Sequence, residues 1–380
     1  MNYLNMLSRI GMAGLVLALS VSAKAEMGVT DHSIVLGQSV VLSGPSAELG
    51  QEMRDGAKAY FDYINSQGGV NGRKIELKTL DDGYEPTRAV ENTKKLISQE
   101  NVFALFGYVG TPTSKAALPI FTENKVPFFG AFTGAELLRD PVNRYVFNVR
   151  ASYYDETEKI VQHLTSLGIN KIAIFYQNDA YGQAGLAGVE RALKKRNMSL
   201  AASGTVERNT VNVTAAVKSI GAVKPQAVIM ISVYKSETEF VKQMKAAVGY
   251  TQYFTISFVG SRSLARELGP DAAGVSISQV VPMPYDEKVL VVKEYHKIMK
   301  KFAPQSPIGF TSLEGFIAAN AFVEGLKRTG SNLTRERLID TLEKMDTDIG
   351  GFRVRFSPAS HSGSKFTDLT VITKEGTFRN

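Results

Sequence analysis

The sequence contains no cysteine and no tryptophan, and only four histidines among its 380 residues. Without cysteine the chain can form neither a disulfide framework nor a thiolate metal site, and it cannot carry the lipid that bacterial lipoproteins attach to a cysteine. The histidines are far apart in sequence, at His32, His163, His296 and His361, which does not favour a shared metal site. We predict that the protein binds no metal and no cofactor.

Long hydrophobic runs are also absent, apart from one short run near the start. Residues 10–19 are almost entirely apolar, follow Arg9 and precede Ala23-Lys24-Ala25. A membrane anchor is the alternative interpretation, but the run is shorter than the roughly 20 residues that span a bilayer. The layout is typical of a secretory signal peptide over residues 1–25. We predict cleavage, a periplasmic location and no lipid anchor.

The motifs of common enzyme classes are missing as well. There is no P-loop and no H-E-x-x-H pair, and the stretch Gly260-Ser261-Arg262-Ser263 lacks the second glycine of a nucleophile elbow. The net charge of +7 is scattered along the chain rather than concentrated, which does not favour a nucleic-acid partner. We predict a protein that is not an enzyme, with an exported hydrolase as the less favoured alternative.

The sequence does contain one pattern of alternating strands and helices that occurs twice along the chain. Apolar and β-branched runs alternate with segments of helical spacing, which predicts parallel sheets covered by helices on both faces. We predict two doubly wound parallel-sheet lobes, with a ligand held between them at the carboxyl ends of the strands. The predicted strands cover residues 33–41, 74–80, 102–106, 126–129, 171–175, 199–205, 227–231 and 253–257. The predicted helices cover residues 50–66, 86–98, 183–195, 214–220 and 237–247, with another that begins near Thr113.

The loops that follow the predicted strands of the first copy are rich in small, hydroxylated residues and glycine. They cover residues 43–50, 107–114 and 130–134. Such loops at helix N-termini offer N–H and hydroxyl donors to an anion such as a carboxylate, although single Ser and Thr residues there usually cap helices. The corresponding loops of the second copy carry Tyr181 and Tyr234, which can stack on a ligand or simply pack.

Five motifs in register carry a resemblance to a known family. They are Ser43-Gly44-Pro45, residues 64–72, Asp81-Asp82 with Pro86, Gly107, and Asp179-Ala180-Tyr181-Gly182. In this order, from about Ser33 to the C-terminus, the chain resembles the type I periplasmic binding proteins of branched-chain amino acid ABC importers. The resemblance implies three crossover hinge strands, near Val149, Val281 and Gly351. Lobe 1 would then comprise residues 26–148 plus 282–350, and lobe 2 residues 149–281 plus 351–380.

The resemblance also implies a binding site, but with one part missing. Small residues of the first lobe hold the ligand carboxylate, and tyrosines of the second lobe cover the ligand. Ser257 stands where the family has the acid that pairs with an amino acid's ammonium, and Glu48, in the first loop, is a possible replacement. The predicted ligand-binding residues are Ser43, Glu48, Tyr108, Thr111, Ala131, Thr133, Tyr181, Tyr234, Ser257 and Phe310.

Together these observations predict a function. The chain resembles the periplasmic solute-binding component of an ABC importer, a monomer that closes by hinge motion on a small carboxylate-bearing ligand and then docks on a membrane permease. The ligand is an amino acid or an aromatic or aliphatic acid, and the missing acid at Ser257 favours a carboxylate without an α-ammonium. The alternative is a sensory role, in which the same closed, ligand-bound form docks on a chemoreceptor instead of a permease.

Overall fold

A computed structural model describes residues 26–380 of the chain. The predicted signal peptide, residues 1–25, lies outside the described residues. Within residues 26–380, no helix combines the length and apolarity needed to cross a membrane.

The first sheet consists of five parallel strands in the order β2-β1-β3-β4-β5. The second sheet begins with five parallel strands in the order β7-β6-β8-β9-β10, and β13 and β14 continue it in antiparallel orientation. A separate hairpin pairs β11 with β12. The strands are β1 (Ser33–Val40), β2 (Lys74–Asp81), β3 (Ala104–Phe106), β4 (Phe128–Phe129), β5 (Val146–Phe147), β6 (Ile172–Gln177), β7 (Ala202–Val206), β8 (Ala227–Ile231), β9 (Gln252–Thr255), β10 (Ser276–Gln279), β11 (Asp346–Ile349), β12 (Phe352–Arg355), β13 (Asp368–Ile372) and β14 (Phe378–Arg379).

Helices cover both sheets because each buries an apolar face. In the helix over residues 47–66, for example, Met53, Ala57, Tyr60 and Ile64 recur at helical spacing and are buried. The helices are α1 (Ala47–Ser66), α2 (Pro86–Ser98), α3 (Thr111–Glu123), α4 (Tyr153–Ser166), α5 (Ala180–Lys194), α6 (Thr214–Ala222), α7 (Tyr234–Val248), α8 (Ser261–Leu268), α9 (Leu290–Phe302), α10 (Phe310–Thr329) and α11 (Arg335–Leu342).

The two sheets share one strand order. In each, the second strand of the chain lies outside the first, and the third, fourth and fifth follow on the other side. The prediction of two doubly wound lobes is therefore confirmed. The antiparallel strands β13 and β14 and the β11–β12 hairpin were not predicted, because they have no counterpart in the repeated pattern.

The chain passes between the sheets three times. The first passage lies between β5 and α4, and the second between β10 and α9. The third lies later than the predicted position at Gly351. The β11–β12 hairpin intervenes, and Ser362 still forms a bridge with Asn148 at the end of β5, so the chain crosses only between Gly363 and β13.

Three site helices begin earlier than predicted. Asp179 caps α5, because its Oδ1 accepts a hydrogen bond of 2.9 Å from the Tyr181 backbone N–H. The other two helices begin without a capping side chain, α3 at Thr111 and α7 at Tyr234. The predicted loop residues Thr111, Tyr181 and Tyr234 therefore stand in first helical turns at the edges where ligands bind in doubly wound sheets.

Candidate functional site

Five aromatic side chains from both lobes meet between the carboxyl ends of the two sheets. Phe258 is central: its ring centroid lies 4.6 Å from that of Tyr181, 5.0 Å from that of Phe132 and 6.2 Å from that of Tyr84. Tyr153 joins the group with its centroid 5.6 Å from that of Tyr181. We call these five residues the aromatic cluster. All are buried, and they form an apolar lining shared by the lobes.

A pair of threonine hydroxyls lies beside the aromatic cluster. Thr111 Oγ1 and Thr133 Oγ1 are 2.7 Å apart, and the Tyr153 hydroxyl lies 3.3 Å from Thr133 Oγ1. Thr111 opens α3, whose first-turn N–H groups have no carbonyl partner within the helix. Gly110, just before it, has a φ of 101°, and a Cβ there would lie 2.2 Å from the Tyr84 ring. The loop therefore requires glycine to bring the hydroxyl pair this close to the cluster.

A buried group of charges surrounds Ser257. The Arg150 Nη2 donates to Glu156 Oε1 at 2.9 Å and also to the Ser257 hydroxyl, while its Nη1 lies 3.4 Å from Glu314 Oε1. The Arg150 guanidinium carbon lies 5.2 Å from the Phe132 ring centroid. We call Arg150, Glu156, Ser257 and Glu314 the charge cluster. It adjoins the aromatic cluster and joins residues of both lobes.

Burial sets the ionisation of this cluster. Burial raises the pKa of Glu314 to about 7, although the positive charge of the neighbouring Arg150 lowers it in part. Burial opposes the charge of Arg150 too, but Glu314 and Glu156 outweigh it and raise the pKa of the guanidinium above its usual value. The buried Arg150 is therefore charged at neutral pH, whereas Glu314 is near its titration midpoint.

An ion-pair bridge connects the lobes on one side of the clusters. Glu48, in α1, accepts hydrogen bonds from Arg266 at 2.6 and 2.8 Å and from Ser263 at 2.7 Å, and its neighbour Glu52 accepts from Arg262 at 2.9 Å. The hydrogen bond from Arg266 is the main cause that lowers the pKa of Glu48. Glu48 is thus an ionised part of a contact between α1 and α8.

A second bridge joins the lobes through the loop after β2. Arg208 Nη2 lies 2.8 Å from Glu85 Oε2, and its Nη1 lies 3.2 Å from Asp179 Oδ2. Asn209 donates to Glu85 Oε1 at 2.7 Å. In this arrangement the lobes touch on both sides of the clusters, so the conformation is a closed one.

The structure brings four of the predicted ligand-binding residues to these clusters: Thr111, Thr133, Tyr181 and Ser257. Ala131 lies behind them, where its carbonyl accepts the Thr133 N–H at 2.9 Å. Tyr234 is buried next to Gly260, and Glu48 belongs to the first bridge.

The remaining three predicted residues lie elsewhere. Tyr108 is in the core of the first lobe, where its hydroxyl lies 3.0 Å from Thr93 Oγ1 of α2. Ser43 is exposed and donates to Asp81 at 2.6 Å. Phe310 packs edge-to-face on Phe378, with centroids 5.5 Å apart. Ser43 and Tyr108 were predicted from their loops and Phe310 as a cover for the apolar part of the ligand, whereas the structure gives each side chain another partner.

Several residues of the clusters escaped the sequence analysis. Phe132 and Phe258 adjoin predicted site residues, Thr133 and Ser257, so their position along the chain was a usable signal. Arg150 follows the predicted crossover at Val149, where a charged residue inside an apolar stretch is notable. Glu156 and Glu314 lie within helices and gave no such signal.

Residues 33–376 match the family model described as "Periplasmic binding protein". The chain belongs to this family. The predicted resemblance to type I proteins of the branched-chain amino acid group is confirmed, since the relatives below carry such names.

Relatives of this chain match it over nearly their whole length. A solved structure of a possible leucine/isoleucine/valine-binding protein from Rhodopirellula baltica is 34% identical, with a TM-score of 0.87 and coverage of 94% of this chain and 97% of that one. A substrate-binding periplasmic protein from Ralstonia solanacearum is 31% identical, with a TM-score of 0.86 and coverage of 91% and 99%. The Leu/Ile/Val-binding protein homolog 7 of Brucella abortus is 26% identical over 94% of this chain and 95% of its own.

Proposed function

We propose that this chain is the solute-binding component of an ABC importer and that it closes over a small ligand with a carboxylate and an apolar body. The observation that carries the proposal is the buried Thr111–Thr133 hydroxyl pair at the start of α3, set beside the aromatic cluster. Hydroxyls and first-turn N–H groups suit a carboxylate, and aromatic rings from both lobes suit an apolar body.

We further propose that the ligand lacks an α-ammonium. Within residues 26–380, two of the acids near the clusters, Glu156 and Glu237, are poor partners for an ammonium. Glu156 accepts from Arg150, from both donors of Ser257 and from Ser278. Glu237 is fully buried, which raises its pKa well above the usual value and favours the neutral acid. Because an ammonium buried without a carboxylate is strongly unfavourable, an amine-free acid fits better.

A free branched-chain amino acid is the second candidate. It is favoured by the printed names of relatives, which include Leu/Ile/Val-binding proteins and an amino acid binding protein of Pseudomonas aeruginosa that is 25% identical to this chain. For such a ligand, Glu314 would have to give up Arg150 and pair with the ammonium.

Closure is proposed as a shift between open and closed populations. The ligand stabilises the closed form only through contacts that it lacks in the open form. The aromatic cluster provides such contacts, because Phe258 and Tyr181 belong to one lobe and Phe132 and Tyr84 to the other. We propose that the two ion-pair bridges set how easily the lobes close, and that a membrane permease binds the closed monomer in the periplasm after removal of residues 1–25.

Titration calorimetry with matched ligand pairs tests this proposal. The pairs are leucine with 4-methylpentanoate, and phenylalanine with 3-phenylpropanoate; each pair differs only in the ammonium group. We expect the amine-free acid to bind more tightly in at least one pair. Tighter binding of the amino acid in each pair would support the second candidate instead. Binding of none of the four would contradict the proposed ligand class.

A further inference from the structure

Arg150 is the one guanidinium of the charge cluster, and it is only partly satisfied. The residue is 1% exposed and lies in the first passage between the lobes. Its Nη2 donates to Glu156 and Ser257, but its Nε and Nη1 have no hydrogen-bond partner within residues 26–380. The ion pair with Glu314, at 3.4 Å, lacks hydrogen-bond alignment. A buried charged group with unused donors is costly and calls for an acceptor.

The charges around Arg150 favour an anion as that acceptor. Arg139 is a second buried cation close by, because its Nη2 donates to the Arg150 carbonyl at 3.1 Å. Burial lowers the pKa of Arg139 to about 10, so it stays charged at neutral pH. The acids near these two cations are Glu156, whose oxygens are engaged, Glu314, whose pKa burial raises to about 7, and Glu136 and Asp155, whose charges act on Arg139. Within residues 26–380, none of these acids accepts a hydrogen bond from Nε or Nη1 of Arg150, so an anion can take that place.

Arg150 and the threonine pair both neighbour Tyr153. The Tyr153 hydroxyl is 3.3 Å from Thr133 Oγ1, and its ring centroid is 5.8 Å from the Arg150 guanidinium carbon. The threonine hydroxyls and the first-turn N–H groups of α3 are neutral donors, whereas a guanidinium adds a full positive charge that offsets more of the desolvation of a buried carboxylate. The site as built from the loops alone therefore lacks a cation, and Arg150 is placed to supply it.

We propose that Arg150 binds the carboxylate of the ligand and determines the preference for acids over neutral analogues. This rests on the proposed function and adds the residue that recognises charge. On binding, the ligand carboxylate takes Nη1 from Glu314, while Nη2 keeps its contacts with Glu156 and Ser257. Glu314 belongs to a helix packed on the first lobe, whereas Glu156 belongs to the second lobe. Because Arg150 contacts both, binding of the acid to Arg150 also affects how the two lobes are positioned.

The test compares each acid with its own primary amide, which has almost the same shape and no charge. The probes are 4-methylpentanoate with 4-methylpentanamide, and 3-phenylpropanoate with 3-phenylpropanamide. In the unmodified protein, we expect the acid to bind about ten- to a hundredfold more tightly than the amide, the range for hydrogen bonds to charged groups. In the double variant R150Q/E156Q, which removes one charge of each sign, we expect acid and amide to bind within about threefold of each other.

Two controls keep the test decisive. Thermal melting establishes that the double variant is folded; should it not fold, R150K serves instead, since it retains the charge but loses the planar donors. We expect R150K to reduce the acid-to-amide ratio by at least about threefold. An unchanged ratio in a folded variant would overturn the role of Arg150 and leave the proposed function intact. Equal binding of acid and amide by the unmodified protein would contradict the proposed function itself.

Discussion

The variant Gly56→Ala is expected to lose about 3 kcal/mol of unfolding free energy or more. Gly56 lies in the middle of α1, where a Cβ would be 1.8 Å from the Ser312 carbonyl oxygen and 2.7 Å from its carbonyl carbon. These are backbone atoms of α10, so no side-chain rotation relieves the clash. The helices would have to move apart, and the core beneath them would lose close packing.

A matched control is available in the other lobe. Gly221 is also helical, in α6, but the nearest atom to a Cβ there is 3.6 Å away. Gly221→Ala is expected to leave stability unchanged or raise it by up to about 1 kcal/mol, the helix propensity difference between the two residues. Urea unfolding of both variants measures the contrast. A Gly56→Ala protein as stable as Gly221→Ala would show that α1 and α10 do not approach this closely.

The second large effect is expected from the double variant T111V/T133V. Valine keeps the shape of threonine, and because both hydroxyls of the 2.7 Å pair are removed together, neither loses the other as a partner; only the two longer contacts of Thr133 Oγ1, with the Tyr153 hydroxyl and the Ala135 N–H at 3.3 Å each, are given up. Ligand affinity should fall by about 3 kcal/mol, roughly a hundredfold in Kd, because two hydrogen bonds to a carboxylate are lost. The melting temperature without ligand should change little. Calorimetry with the tightest-binding acid gives the affinity.

The matching control for this variant is T111S/T133S, which retains the hydroxyls and removes only the methyl groups. It should bind the same acid within about thirtyfold of the unmodified protein, since the two lost methyl groups together cost about 2 kcal/mol or less. Equal affinity of the valine variant and the unmodified protein would place the carboxylate elsewhere and leave the threonines as packing residues of the α3 loop.

The architecture could be predicted from the sequence because its main determinants are local. Strand β8 and helix α2 were predicted with their observed bounds. A run of apolar residues marks β8, and a proline in the first turn marks α2. The third passage was predicted too early because the β11–β12 hairpin and the bridge between Asn148 and Ser362 depend on contacts distant in sequence. Such pairings leave no periodic signal.

The site was predictable only where the family motifs gave a position. Thr111, Thr133 and Tyr181 were predicted in this way, and the structure places them at the clusters. Tyr108 was not distinguishable from them, because whether a side chain after a strand points to the cleft or to the core depends on one residue of register. Arg150 is a different case: its chemistry depends on Glu156 and Glu314, which come from other helices, and only the folded chain brings the three together.

Closure on an acid is the central claim, and energy transfer between two dyes measures it most directly. The chain has no cysteine, so cysteines introduced at Thr87 and Lys235 label only those positions. Both residues are exposed, at the starts of α2 and α7, on the facing edges of the two lobes. We expect saturating 4-methylpentanoate or 3-phenylpropanoate to raise the transfer efficiency. In a labelled T111V/T133V protein, we expect the same rise in transfer efficiency only at a far higher concentration of the acid. An acid that binds by calorimetry yet leaves the transfer efficiency unchanged would contradict the account.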